Sequence, residues 1–394
     1  MPALGFVGYG LRGGLLHDFS KVAGVTVAAV CDSNPAVRRR FEKSGDLHKV
    51  FGDILITGSY EELISQPLDA VVVLSPDNYH WEHATKALEA GKHVYVEKPL
   101  AVSVEQCDSI LLTAMRCRCK LFVGHNMRYF PVIKRMKELL DGGVIGLITN
   151  AWCRHFVAYG GEAYFKDWHS ERRNTTGLLL QKGAHDIDVL HWLCGAYTTS
   201  TVGMGQLAVF NQCERREAED TADFSQFGSP ALWPPTEQKG CSPVIDVEDS
   251  SMMLMTLSNG AQASYQQVMY SPDSCRNYTF IGQQGRIENV GDGDGAEIHI
   301  YTDRYCNFGC PNRKEIVEAP QGGHSGADAM IASDFVGFIT GHVDRPLTDP
   351  VAARMAVAAG CAATHSLRVS KATEKVEPLS SQILEYYRTG QCCL

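Results

Sequence analysis

No run of apolar residues in this chain approaches the ~20 that a membrane-spanning helix needs, and no basic block stands out along it. The first absence excludes a membrane bundle. The second, together with a formal net charge of −9 from 36 Lys+Arg against 45 Asp+Glu, argues against nucleic acid as the main partner. Met1–Tyr9 lacks the basic segment, apolar core and cleavage site of a signal peptide. The C-terminal Gln391-Cys392-Cys393-Leu394 has no cysteine four residues from its end, so it is not a prenylation box. The 14 cysteines are scattered rather than gathered into a compact framework, which reads as reduced thiols in a cytoplasmic protein. Internal repeats are missing too. His80-Trp81-Glu82-His83 lacks the H-E-x-x-H spacing that sets two histidines one helical turn apart. Cys306 and Cys310, or Cys117 and Cys119, have no matching second pair. No metal is expected.

What is present is an ordinary globular composition, 44% hydrophobic and 21% charged over 394 residues. That length suits two or three domains and buries a large core unaided. The first 125 residues or so alternate short apolar runs with amphipathic stretches. Leu4–Val7, Val25–Cys31, Ala70–Leu74, His93–Val96 and Leu121–Val123 read as strands, and Pro35–Lys43, Tyr79–Ala90 and Ser103–Met115 as helices between them. This alternation predicts an α/β domain with a doubly wound parallel sheet covered on both faces.

After a helical pattern at Phe130–Leu140 the grammar changes. Leu147–Val157, Met252–Leu257, Ala261–Val268, Thr279–Ile281, Gly285–Val290 and Glu297–Tyr301 read as strands. Asn259–Gly260 is a hairpin signal because both residues accept positive φ. Helical patterns occupy Lys182–Leu193, Ala327–Ile339 and Val351–Leu367. The expectation is a first domain over 1–126 and, over 127–394, an α+β domain with a large, mostly antiparallel open sheet. Glu214–Val247 carries Gly, Pro, Ser and charges without period and is read as a surface insertion.

Gly8-Tyr9-Gly10-Leu11-Arg12-Gly13 follows the first strand and opens a helix. Such glycines permit a tight turn and let backbone N–H groups approach a pyrophosphate, the Rossmann arrangement. The second strand ends in Asp32, where a carboxylate can accept hydrogen bonds from an adenosine ribose. A carboxylate there repels a 2′-phosphate and favours NAD over NADP. Arg38, Arg39 and Arg40 either soften that preference or form a solvated helix face.

Three further segments complete the pattern: Ser75-Pro76-Asp77-Asn78-Tyr79-His80 after the fourth strand, Glu97-Lys98-Pro99-Leu100 after the fifth, and Gly183-Ala184-His185-Asp186-Ile187-Asp188 opening a later helix. With the glycine loop they resemble the glucose–fructose oxidoreductase/inositol dehydrogenase (Gfo/Idh/MocA) family over nearly the whole chain. The resemblance implies a Rossmann domain followed by an α+β domain whose open sheet often serves oligomer contacts, hence a homodimer or homotetramer. It also implies hydride transfer between a nicotinamide cofactor and a hydroxyl-bearing carbon of a sugar, cyclic polyol or related compound. By position, Lys98 matches the lysine beside the nicotinamide and the reacting oxygen, and His185 the histidine that exchanges the proton. Ser75, Pro76, Asn78, His80, Glu97 and Asn126 match cofactor-contacting positions.

These residue types suit the chemistry. Oxidising an alcohol removes a hydride from carbon and a proton from oxygen. A histidine titrates near neutrality, and an ammonium beside it stabilises a developing alkoxide. The sequence departs from the family pattern four residues before His185, where many members carry an acid and this chain has Gln181, followed by Lys182. A glutamine can hold the imidazole by a hydrogen bond but cannot offset its charge. Relatives that keep NAD bound and cleave glycosides without net redox change offer a second reading. A non-catalytic NAD-binding regulator is a third, which the retention of both Lys98 and His185 disfavours.

The remaining candidates have two readings each. Tyr164–His169, with Trp168, then Arg172 and Arg173, offer aromatic faces for a sugar and guanidinium forks for an acidic one, or else pack against another subunit. Arg128, at the expected junction, stands likewise. His185, Asp188 and His191 recur on one helix, where core packing and catalysis outweigh a metal site.

Overall fold

The computed structural model describes residues 1–44 and 51–391. Six strands form the first sheet: β1 (Ala3–Val7), β2 (Thr26–Cys31), β3 (Leu55–Thr57), β4 (Ala70–Val73), β5 (His93–Glu97) and β6 (Leu121–Gly124). All pair in parallel, in the order β3-β2-β1-β4-β5-β6. Strands β4 and β6 are buried at every residue, which is why they read as unbroken apolar runs rather than alternating ones. The strand order reverses between β1 and β4, the switch point at whose C-terminal edge ligands of such sheets bind. The glycine loop leaves β1 there and the Ser75 turn leaves β4.

The chain divides into two compact units. One comprises Met1–Tyr129, Gln321–Arg354 and Leu379–Leu394, the other Phe130–Pro320 and Met355–Pro378. The sequence grammar suggests one crossing at 126/127; in the structure the chain re-enters the first unit twice. The reason is core packing. Helix Ala327–Thr340 brings Phe335 edge-on against Phe19 at 5.8 Å, Tyr95 at 5.6 Å and Phe122 at 5.5 Å between ring centroids. The helix Ser381–Arg388 then sends the Tyr387 hydroxyl to the Leu111 carbonyl at 2.9 Å. Beyond it, Gln391 accepts from the Leu121 N–H at 2.7 Å and donates to the Leu121 carbonyl at 2.8 Å. A side-chain amide thus takes the place of a neighbouring strand on the open edge at β6.

The second unit holds nine strands: β7 (Ile148–Phe156), β8 (Thr198–Gln206), β9 (Ser250–Leu257), β10 (Gln262–Val268), β11 (Cys275–Gly282), β12 (Gly285–Val290), β13 (Ala296–Tyr301), β14 (Arg313–Val317) and β15 (Glu374–Lys375). Their order is β14-β13-β12-β11-β7-β10-β9-β8-β15, antiparallel throughout except between β7 and β10. The Asn259–Gly260 turn joins β9 and β10 as expected, with Gly260 at φ +86°. Along β9, Met253, Met255 and Leu257 face inward, while Met252 and Leu254 are exposed beside Met204 of β8.

Within 214–247 the residues near 217–231 are largely exposed. The segment is nevertheless anchored, because Cys241 and Val247 enter a core cluster with Phe165, Leu178 and Phe210. The described cysteines are free thiols, and no helix among the described residues is long and apolar enough to cross a membrane.

Candidate active site

Each unit carries its own set of candidate residues. In the first, the glycines of the loop do different work. Gly8 has φ +86°, and a Cβ there would lie 2.6 Å from the Ser75 backbone, so the crossing of β1 past β4 admits no side chain. A Cβ on Gly13 would strike the Tyr9 ring at 2.9 Å, whereas one on Gly10 would meet nothing within 4 Å. The open side of the turn is therefore at Gly10. The N–H groups of Gly10, Leu11 and Arg12 have no hydrogen-bond partner among the described residues. A cradle of free N–H groups with open space above its middle glycine fits a pyrophosphate.

At the end of β2 the Asp32 carboxylate accepts from the Tyr9 N–H and the Asn34 N–H, each at 2.8 Å. These bonds fix it beside the loop, half-buried, in the position a ribose-binding acid needs. The Arg38 guanidinium donates to the Asp32 carbonyl and lies where a Cβ on Gly58 would meet it at 2.7 Å. Arg39 is exposed, and the Arg40 side chain lies outside the described residues.

The Ser75 and Pro99 turns are tied by one ring. His80 is fully buried, its Nδ1 2.7 Å from the Pro99 carbonyl and its Nε2 2.9 Å from the Ser75 carbonyl. Burial pushes its pKa down while the two carbonyls pull the other way. Ser75 in turn meets His83 Nδ1 at 2.9 Å through its hydroxyl. Pro76 and Asn78 belong to the same turn, and Lys98 sits half-buried at the end of β5.

Glu97 and Arg12, both expected to contact cofactor, are joined to each other. Arg12 Nε donates to Glu97 at 3.0 Å, while its two terminal nitrogens reach Asp328 at 2.9 and 3.2 Å. The Arg12 side chain is thus committed within the protein, and only its backbone N–H remains for a phosphate. Burial opposes its charge, but Glu97 and Asp328 outweigh that effect and hold its pKa above the usual range. Asp328 is held below the usual carboxylate range: burial opposes this, and hydrogen bonds from His324 and Arg12 overcome it. Asn126 joins the cluster through a 3.4 Å contact to Asp328. Arg128 is buried and donates to the Leu347 carbonyl at 2.9 Å. Sequence reasoning missed Asp328, which no local motif marks. It also missed Gly124, where a Cβ would lie 2.6 Å from the Tyr95 hydroxyl and 3.1 Å from the Glu97 carboxyl.

In the second unit, helix Gly183–Cys194 sits tight on the sheet because a Cβ at Gly183 would meet the Tyr265 ring at 2.9 Å. His185 lies in its first turn and is buried. The next residue, Asp186, is wholly buried and accepts from Arg276 Nε at 3.0 Å and from the Tyr278 hydroxyl, with His155 Nδ1 at 3.0 Å. Burial opposes its ionisation, but Arg276 and then His155 keep its pKa well below normal. His155 is pushed down to about 3 by burial and by Arg276. Asp186 and Arg276 thus bolt the helix to β11, fixing the turn that carries His185. His191 is engaged with Thr198, whose hydroxyl lies 2.7 Å from its Nε2. Gln181 is buried one turn before His185.

The two arginines offered for an acidic substrate have carboxylate neighbours. Arg172 lies 3.4 Å from Glu248, and Arg173 lies 2.7 Å from Glu171 with most of its side chain in water. Trp168 stacks on His169 with ring centroids 3.7 Å apart.

Comparison with known proteins points to one family and one fold. A family model described as an oxidoreductase family, NAD-binding Rossmann fold, matches residues 3–125, and one for the C-terminal alpha/beta domain of that oxidoreductase family matches residues 137–345. An inositol 2-dehydrogenase/D-chiro-inositol 3-dehydrogenase of Lactiplantibacillus plantarum is 33% identical over 195 residues, covering 48% of this chain and 51% of that protein. The match thus spans about half the length of that relative. An alpha-N-acetylgalactosaminidase of Shewanella oneidensis is 25% identical over 364 residues, 83% of this chain and 74% of that one. The structure of a scyllo-inositol dehydrogenase from Lactobacillus casei, with bound NAD(H) and scyllo-inositol, has the same fold: its TM-score is 0.69 at 19% identity, over 95% of this chain and 99% of that one.

Proposed function

The chain belongs to the Gfo/Idh/MocA oxidoreductase family, and from that premise we propose that it is an NAD-dependent oxidoreductase acting on a hydroxyl-bearing carbon of a sugar, cyclic polyol or sugar derivative. The observation that carries the reading is the glycine loop, whose free N–H groups and neighbouring Asp32 carboxylate suit a dinucleotide with an unphosphorylated ribose. NAD, when bound, supplies the hydride acceptor or donor. Ser75, Pro76 and Asn78 form the turn at the switch point, and His80 fixes that turn against the one following Lys98. Lys98 polarises the substrate oxygen and stabilises its negative charge. His185 takes the hydroxyl proton in oxidation and returns it in reduction. Gln181 orients the imidazole without adding charge.

Absorbance at 340 nm across sugars, polyols and sugar acids, with NAD and NADP in parallel, tests this reading. NADH formation with one substrate class is expected. Lys98→Ala with His185→Ala should abolish turnover and leave calorimetric NAD binding in place; full activity in the double variant would overturn the assignment. The second reading is redox-neutral glycoside cleavage. It draws support from the galactosaminidase likeness over 83% of the chain and from Gln181 in place of an acid. Release of p-nitrophenol from aryl glycosides without net NADH would select it.

The exposed Met204, Met252 and Leu254 on one face of the second sheet suit a homo-oligomer, and the free cysteines suit a cytoplasmic location.

A further inference from the structure

The helical backbone of the second unit runs from Leu178–Gln181 through Lys182 (φ −88°, ψ −39°) into Gly183–Cys194. Three residues apart on that backbone, Lys182 and His185 share a face. Lys182 is only 8% exposed. Its Nζ lies 5.1 Å from the Tyr164 ring centroid and 6.0 Å from that of Tyr159. No carboxylate comes within 4.0 Å of it among the described residues. The anion next along the helix, Asp186, is already claimed by Arg276, Tyr278 and His155. The inward-facing arginines of this unit are treated differently, Arg276 having Asp186 and Asp292 and Arg368 having Glu248, while Lys166, also buried, has the Asp223 carbonyl at 3.5 Å.

Burial therefore lowers the Lys182 pKa, with Arg276 adding to the effect while Tyr159 and Asp186 oppose it. Tyrosine faces attract an ammonium weakly compared with a carboxylate, so the cage holds the charge without neutralising it. A desolvated cation lacking its counter-ion is costly to the fold, and such groups concentrate at functional sites. The surroundings suggest what uses it. Tyr164 meets His169 edge-on at 5.3 Å, and His169 stacks on Trp168. A chain of ring contacts thus leads from the ammonium through the buried Tyr164 and His169 to the half-buried Trp168, and Tyr159, 36% exposed, borders it on the solvent side.

We propose that Lys182 is a substrate-recognition residue, and that the substrate of this chain is a carboxylate-bearing sugar or polyol whose charge pairs with Lys182 and whose ring packs on the accessible faces of Tyr159 and Trp168. A monoanion matches the one charge that Lys182 presents beside His185, whereas a phosphate dianion would call on Arg172 and Arg173, which face Glu248 and Glu171. The inference rests on the dehydrogenase reading above and narrows its substrate class.

The test uses the full chain with saturating NAD. D-galacturonate, D-glucuronate and D-gluconate are compared with D-galactose, D-glucose and myo-inositol by thermal shift and calorimetry. At least one acid should raise the melting temperature at concentrations where the neutral compounds do not. Lys182→Met should weaken that acid at least tenfold, and Lys182→Arg should recover part of the loss. Lys137→Met is the control, because Lys137 also lies near an indole, 6.0 Å from the Trp192 centroid, but is paired with Asp141; acid binding should survive it. The apo Lys182→Met protein should melt no lower than the parent, which separates lost recognition from lost folding. Equal responses to acids and neutral compounds, no response to any acid, or unchanged acid affinity in Lys182→Met would overturn the proposal. Binding requires no turnover, so an acid that binds through Lys182 yet forms no NADH overturns only the dehydrogenase reading. NADH formed from a neutral polyol undiminished in Lys182→Met overturns only the substrate class.

Discussion

Arg12 and Lys182, one in each unit, are both drawn largely out of water, and their surroundings could hardly differ more. Arg12 sits between two carboxylates, Glu97 and Asp328, and its charge is reinforced. Lys182 sits between two tyrosine rings, and its charge is undermined. The guanidinium organises its own neighbourhood: it ties the glycine loop to the end of β5 and to helix Ala327–Thr340. The ammonium has a hydrogen bond to Tyr159 and the face of Tyr164 but, among the described residues, no carboxylate, which leaves its charge to be met by the proposed acidic substrate. A buried charge is thus informative through its counter-ions more than through its depth.

The contrast can be broken most forcefully at Arg12. Arg12→Met leaves Glu97 buried without its cation and Asp328 with His324 alone, and should cost about 3 kcal/mol, read as a lower midpoint in urea unfolding. A loss below about 1 kcal/mol would mean the cluster is not the clamp described. The same cluster predicts a pH dependence. The Asp328 pKa is depressed on folding, so its contribution is complete above the unfolded value of about 4 and drains away as the pH falls toward the folded one. Unfolding midpoints measured from pH 6 to pH 3 should therefore fall, and Asp328→Asn should flatten that slope while lowering stability at neutral pH.

Lys182→Met should act in the opposite sense to Arg12→Met, raising apo stability by about 1–2 kcal/mol because it removes a desolvated charge without orphaning a partner. Smallest of all is Arg172→Ala. Its ion pair with Glu248 is long and half in water, and Arg368 still holds Glu248 at 2.6 Å. The expected change is under about 1 kcal/mol in the same denaturation assay.

How much of this could be seen in the sequence follows from how local each feature is. The strands of the first sheet, the glycine loop and Asp32 were legible because buried parallel strands are continuous apolar runs and the loop is a contiguous motif. Strand β3 has three residues and β8 is rich in threonine and glycine, so neither offers an apolar run to detect. Asp328 lies 316 residues from Arg12 and carries no motif of its own. For Arg172 and Arg173 the sequence displays the charge and hides Glu248 and Glu171. For Lys182 it displays a charge beside a candidate base, and only packing reveals that the side chain is buried among rings.

The return of the chain to its first unit also sets a timetable. On a ribosome, residues 1–129 emerge first, but Phe335 and Asp328 follow some two hundred residues later, and Tyr387 and Gln391 later still. At about 5–20 residues per second the nucleotide-binding unit spends on the order of tens of seconds with its aromatic core uncapped, Arg12 half-paired and the β6 edge bare. The main stretch of the second unit, Phe130–Pro320, is complete before the first can close. The part that starts the chain is the part that finishes last, and a nascent chain stalled between the two would expose apolar surface for chaperones to hold.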